Sequence, residues 1–466
     1  MPARWPRGLL LAYAAINVLV LVNAVTHHYA VGYDAEGHQQ YVRVLAGGRL
    51  PTLADTEEYF NAPLPYLPPA LAAAFLPDVS MGAVMKGAQV LQAGYSLVLT
   101  WALVGLCRRL RPDEPGLPAA ALCLLGLLPV YYRTMAMFRG EALTACLTVL
   151  CLERTLAFSD DSRPSRALTL GGLLGLLLLS KQWGVFVVAA IVLWLVARMA
   201  SAGGTRLRAV ALAVAVAAAT GGWYYATLQW RFGSVAAFNA PAVPGWSLSA
   251  KPPGFLTSLR AGRVFREPIR PAFAPEPLLP TFYADTWGDY WCYWLVYGNT
   301  RVDDPAQPPL PAPEGAVTNR AAMDRYLGRV NAVAVVPSAA LLAGLVIAVL
   351  GVVRTRVTAW GPDALLGLTI GISLAGFVFL LLRYPFLDVK VSYLLHVFPL
   401  VAALAGAALC ALRRAARPAF LAALVLLSVA AAHNAGTLIS HYPQWAPERA
   451  GLAGSASGWG VSRRVH

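Results

Sequence analysis

Long apolar runs separated by short polar segments make up most of the chain. Eleven runs approach the roughly 20 residues that an α-helix needs to cross the hydrocarbon core of a bilayer. A chain with this pattern buries its apolar side chains against lipid and against its own helices. We therefore predict an all-α polytopic membrane protein with about eleven transmembrane helices, at residues 8–25, 82–106, 117–132, 141–158, 167–183, 184–200, 207–230, 329–353, 363–382, 391–411 and 417–434.

Composition supports a membrane location and argues against nucleic-acid binding. Apolar residues make up 58% of the 466 residues and charged residues 13%, a balance that is typical of polytopic membrane proteins. Lys and Arg number 37 against 23 Asp and Glu, but the basic residues cluster in short segments between apolar runs. The positive-inside rule assigns these segments to the cytoplasm. We predict a multi-pass protein of the cell inner (plasma) membrane, with a cytoplasmic N-terminus and no nucleic-acid partner.

This orientation puts the remaining polar segments on the extracytoplasmic, periplasmic side. They are the first outer loop 26–81, the turn 131–140, the long segment 231–328 and the turn 384–390. The long segment is rich in Pro and aromatic residues, and its length is typical of an active-site lid or a small subdomain. We predict four parts, namely a transmembrane module 1–230, the loop 231–328, C-terminal transmembrane helices 329–434 and a polar tail 435–466.

The first outer loop carries an acidic cluster directly after the first apolar run. Asp34, Glu36 and His38 would share one face of a strand, whereas Asp34 and His38 would share one face of a helix. Either arrangement permits a carboxylate that acts as general base, or a site for a divalent cation such as Mg, Mn or Zn. The alternative is a structural role, in which Asp34 caps a helix N-terminus and His38 is solvated.

Two further outer positions carry cationic side chains. Arg133 and Arg139 precede Glu141 in the second outer turn, and a guanidinium suits bidentate binding of phosphate. Lys181 lies at the outer end of an otherwise uncharged hairpin, where it is a candidate phosphate anchor. The alternatives are snorkelling of these long side chains to the membrane interface, and an ion pair between Arg139 and Glu141.

Two later outer segments add aromatic and charged side chains. Trp287 and Asp289 belong to a segment that interleaves carboxylates with aromatic rings. This composition suits stacking on sugar rings and hydrogen bonds to hydroxyl groups, and an aromatic belt at the lipid headgroups is the alternative. Arg383, Lys390 and Tyr393 follow at the next outer turn. Because all of these segments share one side of the membrane, we interpret them as parts of one site.

In this order, the segments resemble the polyprenyl-phosphate-sugar-dependent glycosyltransferases of the GT-C superfamily, which includes lipid A aminoarabinose transferases and protein O-mannosyltransferases. The matching motifs are Asp34-Ala35-Glu36-Gly37-His38, Pro63-Leu64-Pro65-Tyr66, Arg139-Gly140-Glu141, Ser180-Lys181-Gln182, Trp287-Gly288-Asp289 and Lys390-Val391-Ser392-Tyr393. The resemblance implies a GT-C-like bundle with juxtamembrane helices in the first outer loop, a catalytic acid at Asp34 and a phosphate-binding lysine at Lys181. Many relatives have adjacent Asp-Glu where this chain has Asp34-Ala35-Glu36, which leaves the identity of the base open between the two carboxylates.

The resemblance further implies an integral membrane glycosyltransferase that moves a hexosyl or pentosyl group from a polyprenyl-phosphate donor to a hydroxyl of a lipid, glycan or protein. Asp34 or Glu36 would accept the hydroxyl proton, and a single displacement would invert the anomeric carbon. No cofactor would be required, and a divalent cation, where one binds, would bind Asp34, Glu36 and His38. The expected ligand sets are Lys181, Arg139, Lys390 and Arg383 for the donor phosphate, and His38, Glu141, Trp287, Asp289 and Tyr393 for the sugar or acceptor.

Two other functions fit parts of the sequence. A transporter or flippase of lipid-linked sugars would also have many spans, but such proteins tend to keep ionisable groups at mid-membrane and often have repeated halves, which this sequence lacks. A polysaccharide polymerase or O-antigen ligase would use a lipid diphosphate donor and basic residues in a large outer loop. Arg263, Arg266 and Arg270 are candidates for such residues, so this alternative stays open.

Overall fold

The computed structural model describes residues 5–200, 204–239, 247–248, 251–259, 261–269, 277–291, 293–295, 320–354, 360–384 and 388–441. Within these ranges the regular secondary structure is helical throughout, which confirms the predicted all-α class. Parts of the predicted loop 231–328, Arg270 among them, and the predicted tail beyond residue 441 lie outside the described residues.

The helices follow one another along the chain with short connections. In order they are α1 (Arg7–Thr26), α2 (Ala35–Ala46), α3 (Leu67–Phe75), α4 (Met81–Leu110), α5 (Leu117–Gly126), α6 (Pro129–Ala136), α7 (Gly140–Asp160), α8 (Pro164–Ser180), α9 (Gly184–Ala200), α10 (Gly204–Ala217), α11 (Trp223–Phe232), α12 (Ala261–Arg266), α13 (Leu278–Trp287), α14 (Arg320–Val333), α15 (Val335–Arg354), α16 (Pro362–Arg383), α17 (Phe398–Ala415) and α18 (Arg417–Asn434). A π-helical segment, Ala218–Gly222, joins α10 to α11, and 3₁₀ turns span Leu64–Tyr66, Val391–Val397 and Ala435–Leu438.

Eight helical stretches in the described ranges are long and apolar enough to cross a membrane. Helices α5 and α6 form a ninth if they are taken as one span, which is bent by 72°. The bend falls at Pro129, because the residue before a proline disfavours helical geometry and Leu128 is extended. Helices α8 and α9 are apolar but shorter. The eleven predicted runs thus correspond to these helices, although the exact count of about eleven crossings is not confirmed.

Helix α7 and the segment Val391–Ala415 form the centre of the bundle. In their most apolar windows, 89% and 83% of the residues are buried, against 17% in α15 and 11% in the Arg417–Leu438 stretch. Helix α7 packs against α4, α8 and the Val391–Val397 turn. Side-chain packing between helices, rather than removal from water, stabilises such contacts within a bilayer. The candidate site residues at the ends of these central elements are therefore fixed by the best-packed part of the fold.

The segment between α1 and α4 folds into the two short helices α2 and α3, as the resemblance implied. Helix α2 is amphipathic, with His38, Tyr41 and Val42 among its buried residues. It ends at Gly47, and Gly48 has a φ of 79°, a conformation that glycine adopts without steric cost. The helix therefore ends at Ala46, and it begins at Ala35, directly after Asp34.

Candidate active site

Asp34 stands at the start of α2 in an unusual backbone conformation. Its φ of 58° lies in the left-handed region, which Asp tolerates better than most residues. Its side chain makes no capping hydrogen bond to α2. Instead, the Lys390 ammonium donates to Asp34 Oδ2 at 2.7 Å. Asp34 therefore occupies the cap position of α2, but its carboxylate forms an ion pair with a lysine 356 residues further along the chain.

This ion pair governs the charge of both partners. Enclosure by the protein would raise the Asp34 pKa, but the Lys390 ammonium opposes this and lowers it to about 2. Burial likewise disfavours the charged lysine, yet Asp34 holds the Lys390 pKa well above its usual value. Both groups are ionised at neutral pH. The Lys390 Nζ atom also lies 5.1 Å from the centroid of the Tyr33 ring, which is a cation–π distance.

A second buried ion pair joins Lys181 to Glu141. The Lys181 ammonium donates to Glu141 Oε1 at 2.6 Å, and the two side chains are 9% and 2% exposed. Gly140 makes this approach possible, because a Cβ atom there would lie only 2.8 Å from the carbonyl oxygen of Ser180. The second carboxylate oxygen, Glu141 Oε2, has no hydrogen-bond partner in the structure. Glu141 therefore pairs with Lys181 through one oxygen, and its other, buried oxygen accepts no hydrogen bond.

Tyr393 connects the two lysines. Its ring centroid lies 5.2 Å from Lys181 Nζ and 6.0 Å from Lys390 Nζ. The ring also stacks on Trp183 at a centroid distance of 5.2 Å. Trp183 is buried in the bundle core, so the stack has a fixed orientation. Two cations and an aromatic pair thus meet at the ends of α8 and of the Val391–Val397 turn.

Arg139 is the third cation of this region, and it differs from the two lysines. The residue is 3% exposed, and its Nη2 donates to the carbonyl oxygen of Tyr33 at 3.0 Å. Its guanidinium carbon lies 4.8 Å from the Tyr33 ring centroid. The Nε atom is buried without a hydrogen-bond partner. No carboxylate in the described ranges forms an ion pair with Arg139, so this charge lacks the compensation that Lys181 and Lys390 have.

Two acids that the sequence reading missed complete the site. Carboxylate oxygens of Asp34, Glu57 and Glu58 lie within 4.8 Å of one another. Burial and the neighbouring Asp34 charge raise the Glu58 pKa to about 8, so Glu58 is protonated at neutral pH. The Asn61 amide donates to Glu58 Oε2. The signal in the sequence was a pair of adjacent acids directly before Tyr59 and Phe60, which is an unusual neighbourhood for solvated carboxylates.

His38 lies among all of these charges. Burial lowers its pKa well below the usual value, and Arg139, Lys181 and Lys390 lower it further, whereas Asp34 opposes them. The ring is therefore neutral at neutral pH. His38 interacts electrostatically with all three cations and with Asp34. The fold therefore brings these residues, which are far apart in sequence, close to one another.

The ring of His38 is held rather than solvated. His38 Nδ1 shares a hydrogen bond of 2.8 Å with the Tyr66 hydroxyl, and Glu58 Oε2 lies 3.9 Å from the same nitrogen. Tyr66 in turn stacks on Tyr41 at a centroid distance of 3.9 Å. Tyr66, in the motif Pro63-Leu64-Pro65-Tyr66 of the first outer loop, therefore orients the histidine.

The remaining predicted site residues occupy different surroundings. Glu36 is exposed in the first turn of α2 and is not part of the Asp34, Glu57 and Glu58 group. Trp287 is buried in the hydrophobic core at the end of α13. Asp289 Oδ2 accepts hydrogen bonds from the backbone amides of residues 294 and 295 at 2.8 and 2.9 Å. Arg383 is half-buried at the end of α16, directly before the partly described turn that leads to Lys390.

Comparison with known proteins identifies the fold. No family model matches the chain, and no curated protein matches it. Among solved structures, the apo oligosaccharyltransferase of Archaeoglobus fulgidus is 14% identical with a TM-score of 0.51, over 94% of this chain and 57% of that one. The same enzyme in complex with Zn and sulfate has 14% identity and a TM-score of 0.50, over 94% and 54% of the two chains.

A third solved structure is ArnT from Cupriavidus metallidurans bound to undecaprenyl phosphate. It is 16% identical with a TM-score of 0.48, over 91% of this chain and 64% of that one. The chain spans a little over half the length of the oligosaccharyltransferase that it matches. The two oligosaccharyltransferase structures share the fold of this chain over most of its length, so the predicted GT-C-like bundle is confirmed at the level of the fold.

Proposed function

We propose that this protein transfers a sugar from a polyprenyl-phosphate donor to an acceptor hydroxyl on the extracytoplasmic side of the membrane. The observation that carries the proposal is the buried, uncompensated charge of Arg139 beside two lysines. A buried charge without a counter-ion is costly, and a bound anion at this place would offset the cost. A sugar attached to a lipid phosphate presents such an anion at the depth where the apolar helices end.

The cations of the site suit the leaving phosphate. A guanidinium binds phosphate oxygens through parallel N–H donors, and Arg139 Nε is free to donate. Lys181 and Lys390 each hold a carboxylate at 2.6 and 2.7 Å, and each could exchange it for a phosphate oxygen. Fixed cations around a phosphate stabilise the charge that develops as the bond to the sugar breaks. Arg383 stays a predicted contributor from the neighbouring turn.

Asp34 is the proposed base. The acceptor oxygen would form a bond to the anomeric carbon while the bond from that carbon to the phosphate oxygen breaks, and the electron pair leaves with the phosphate. The acceptor proton would pass to Asp34, and attack opposite the leaving group inverts the anomeric carbon. In the free protein, Lys390 holds the Asp34 pKa near 2, which makes the carboxylate a weak base. Movement of Lys390 towards the donor phosphate would raise that pKa as the donor binds.

The sugar and the acceptor would lie between these groups. The unpartnered oxygen of Glu141 can accept a hydrogen bond from a sugar hydroxyl, and the stacked rings of Tyr393 and Trp183 offer an apolar face. His38, which is neutral, can exchange hydrogen bonds with hydroxyl groups without competing for the phosphate. The predicted sugar contacts of Trp287 and Asp289 stay predictions, since both side chains face the protein interior in this state.

The acidic group of Asp34, Glu57 and Glu58 is a candidate binding site for a divalent cation. Three carboxylates within 4.8 Å of one another fit a hard cation such as Mg or Mn. Asp34, Glu57 and Glu58 would hold it, in place of the predicted set of Asp34, Glu36 and His38. Bound there, it would add Lewis-acid stabilisation of the donor phosphate. We propose that transfer proceeds without it, because Lys390 already supplies a cation at Asp34.

The test is donor consumption by the purified protein with a panel of synthetic polyprenyl-phosphate sugars. We compare the unaltered protein, Asp34→Asn and Glu36→Gln, each with and without EDTA. We expect Asp34→Asn to lose consumption by about 100-fold or more, the range of general-base catalysis, and Glu36→Gln to retain it. Equal rates for Asp34→Asn and the unaltered protein would contradict the role of Asp34. Movement of the donor across a bilayer without consumption would favour a flippase.

A further inference from the structure

A single buried carboxylate links the two chain segments that supply the Asp34–Lys390 pair. Asp285, on α13, has no exposed surface. Its Oδ1 accepts a hydrogen bond from the Tyr33 hydroxyl at 3.2 Å. Its Oδ2 accepts one from the backbone N–H of Val391 at 2.8 Å. Tyr33 directly precedes Asp34, and Val391 directly follows Lys390. Each carboxylate oxygen thus holds the chain neighbour of one partner.

Asp285 is itself held in place. Arg133, which is 1% exposed, donates from Nη2 to Asp285 Oδ1 at 2.8 Å and from Nη1 to Asp289 Oδ1 at 3.3 Å. Arg133 also donates to the Asp285 carbonyl oxygen. Asp289 is anchored in turn by the backbone amides of the following turn. Burial raises the Asp285 pKa and Arg133 opposes this. The arrangement is a charged network with few degrees of freedom.

The held segments need such support. Asp34 has a φ of 58°, and a non-glycine residue keeps this conformation only where its surroundings determine it. Tyr33 is fixed at three points, since its hydroxyl binds Asp285, its carbonyl oxygen binds Arg139 and its ring faces Lys390. A shift of Tyr33 would therefore move Asp34 relative to Lys390.

We propose that Asp285 is a positioning residue for the Asp34–Lys390 pair. It acts through Tyr33 and Val391, and it sets the distance and orientation of the carboxylate and the ammonium. This role rests on the proposed function, in which that pair supplies the base and a phosphate-binding cation. Asp285 would touch neither the donor nor the acceptor, so its contribution would appear in the geometry of the pair and in turnover.

Asp285→Asn is the most informative change, because asparagine keeps the shape and removes one acceptor oxygen. In either orientation of the amide, its NH₂ group faces a group that can only donate, which is the Val391 amide in one case and the Arg133 guanidinium in the other. Either the bond from Val391 or the bond from Arg133, which holds residue 285 in place, is therefore lost. The pair then samples open geometries, and a tenfold fall in its closed population is the effect of one well-formed bond to a charged group.

Zero-length cross-linking measures the pair without any substrate. A hydrophobic carbodiimide joins a carboxylate to an amine only where the two are in contact, and peptide mass spectrometry quantifies each linkage. The Asp34–Lys390 and Lys181–Glu141 pairs, at 2.7 and 2.6 Å, both qualify. Of the four residues in the two pairs, only Asp34 and Lys390 have a chain neighbour that donates a hydrogen bond to the Asp285 carboxylate. We expect Asp285→Asn to reduce the Asp34–Lys390 product about tenfold relative to the Lys181–Glu141 product in the same sample.

An unchanged ratio of the two products in Asp285→Asn would overturn the proposal. If both products disappear because the variant does not fold, Tyr33→Phe decides, since it removes only the hydroxyl that binds Asp285. A selective loss of the Asp34–Lys390 product in Tyr33→Phe supports positioning, and an unchanged ratio refutes it. Since no donor is added, the result is independent of whether the protein transfers sugars. With an active donor, Asp285→Asn should lower kcat in the unaltered background but not in Lys390→Met.

Discussion

Replacement of Glu58 by glutamine is expected to remove a large part of the pH dependence of stability between pH 5 and 8. Glu58 is 5% exposed, and its raised pKa follows from burial and from the adjacent Asp34 charge. Glutamine keeps the oxygen that accepts the hydrogen bond from Asn61. It cannot ionise, so the variant reproduces the protonated form of Glu58 at every pH.

The sign and the size follow from the two pKa values. The folded-state pKa of about 8 exceeds the usual value of 4.5, so the stabilisation is complete below pH 4.5 and is lost as the pH rises through 8. Within this window the slope is about 1.4 kcal/mol per pH unit for one proton. Between pH 5 and 8, the unaltered protein should therefore lose about 3 kcal/mol relative to Glu58→Gln.

The assay is the free energy of unfolding in detergent at pH 5, 6, 7 and 8, measured by denaturant titration with tryptophan fluorescence. Glu36→Gln is the matched control, because it makes the same chemical change in the same loop on an exposed side chain. We expect the Glu36→Gln profile to stay close to that of the unaltered protein. Identical pH profiles for Glu58→Gln and the unaltered protein would show that Glu58 ionises normally, and the reasoning would fail.

Two further predictions concern the donor phosphate. Lys181→Ala should weaken the binding of a polyprenyl phosphate and also destabilise the fold by about 3 kcal/mol, because Glu141 is left buried without a partner. The double variant Lys181→Ala/Glu141→Gln should recover stability but not lipid binding, and recovery of both would leave Lys181 a purely structural role. A sugar linked through one phosphate should be consumed faster than the same sugar linked through a diphosphate, because Arg139 is the single uncompensated cation of the described site. Equal or reversed rates would favour the polymerase or ligase alternative.

The fold was predictable from the sequence to the extent that apolar length decides it. Helices α1, α4 and α7 coincide with predicted runs because each is a continuous apolar stretch of sufficient length. The apolar run 117–132 predicts one transmembrane helix, but Pro129 divides it into the two helices α5 and α6. The run 167–183 ends early, because Lys181 is extended and turns its side chain towards Glu141. These departures arise from backbone geometry and tertiary contacts that hydropathy does not report.

The sequence alone predicts many of the residues of the candidate site, but not which of them form hydrogen bonds and ion pairs with one another. Asp34, Lys181 and Lys390 stand out because isolated charges beside apolar runs are costly. Their pairing requires the fold, since Lys390 meets Asp34 across 356 residues. Glu58 was missed because its abnormal protonation follows from burial, which the local sequence does not display. Asp285 was missed because its partners come from three separate segments, which only the fold brings together.

In the proposed function, the two lysine–carboxylate pairs would allow a cationic site to exist before a donor arrives. An isolated buried ammonium would lose its proton or destabilise the protein, whereas a nearby carboxylate favours the charged form of the ammonium. When a phosphate enters, each lysine can exchange one anion for another, so neither state contains an unpaired ammonium. The released carboxylate then gains basicity or hydrogen-bonding capacity where the sugar lies. Arg139 keeps its charge without such a partner, because a guanidinium stays protonated even when buried, and in the proposed function the donor phosphate would neutralise that charge.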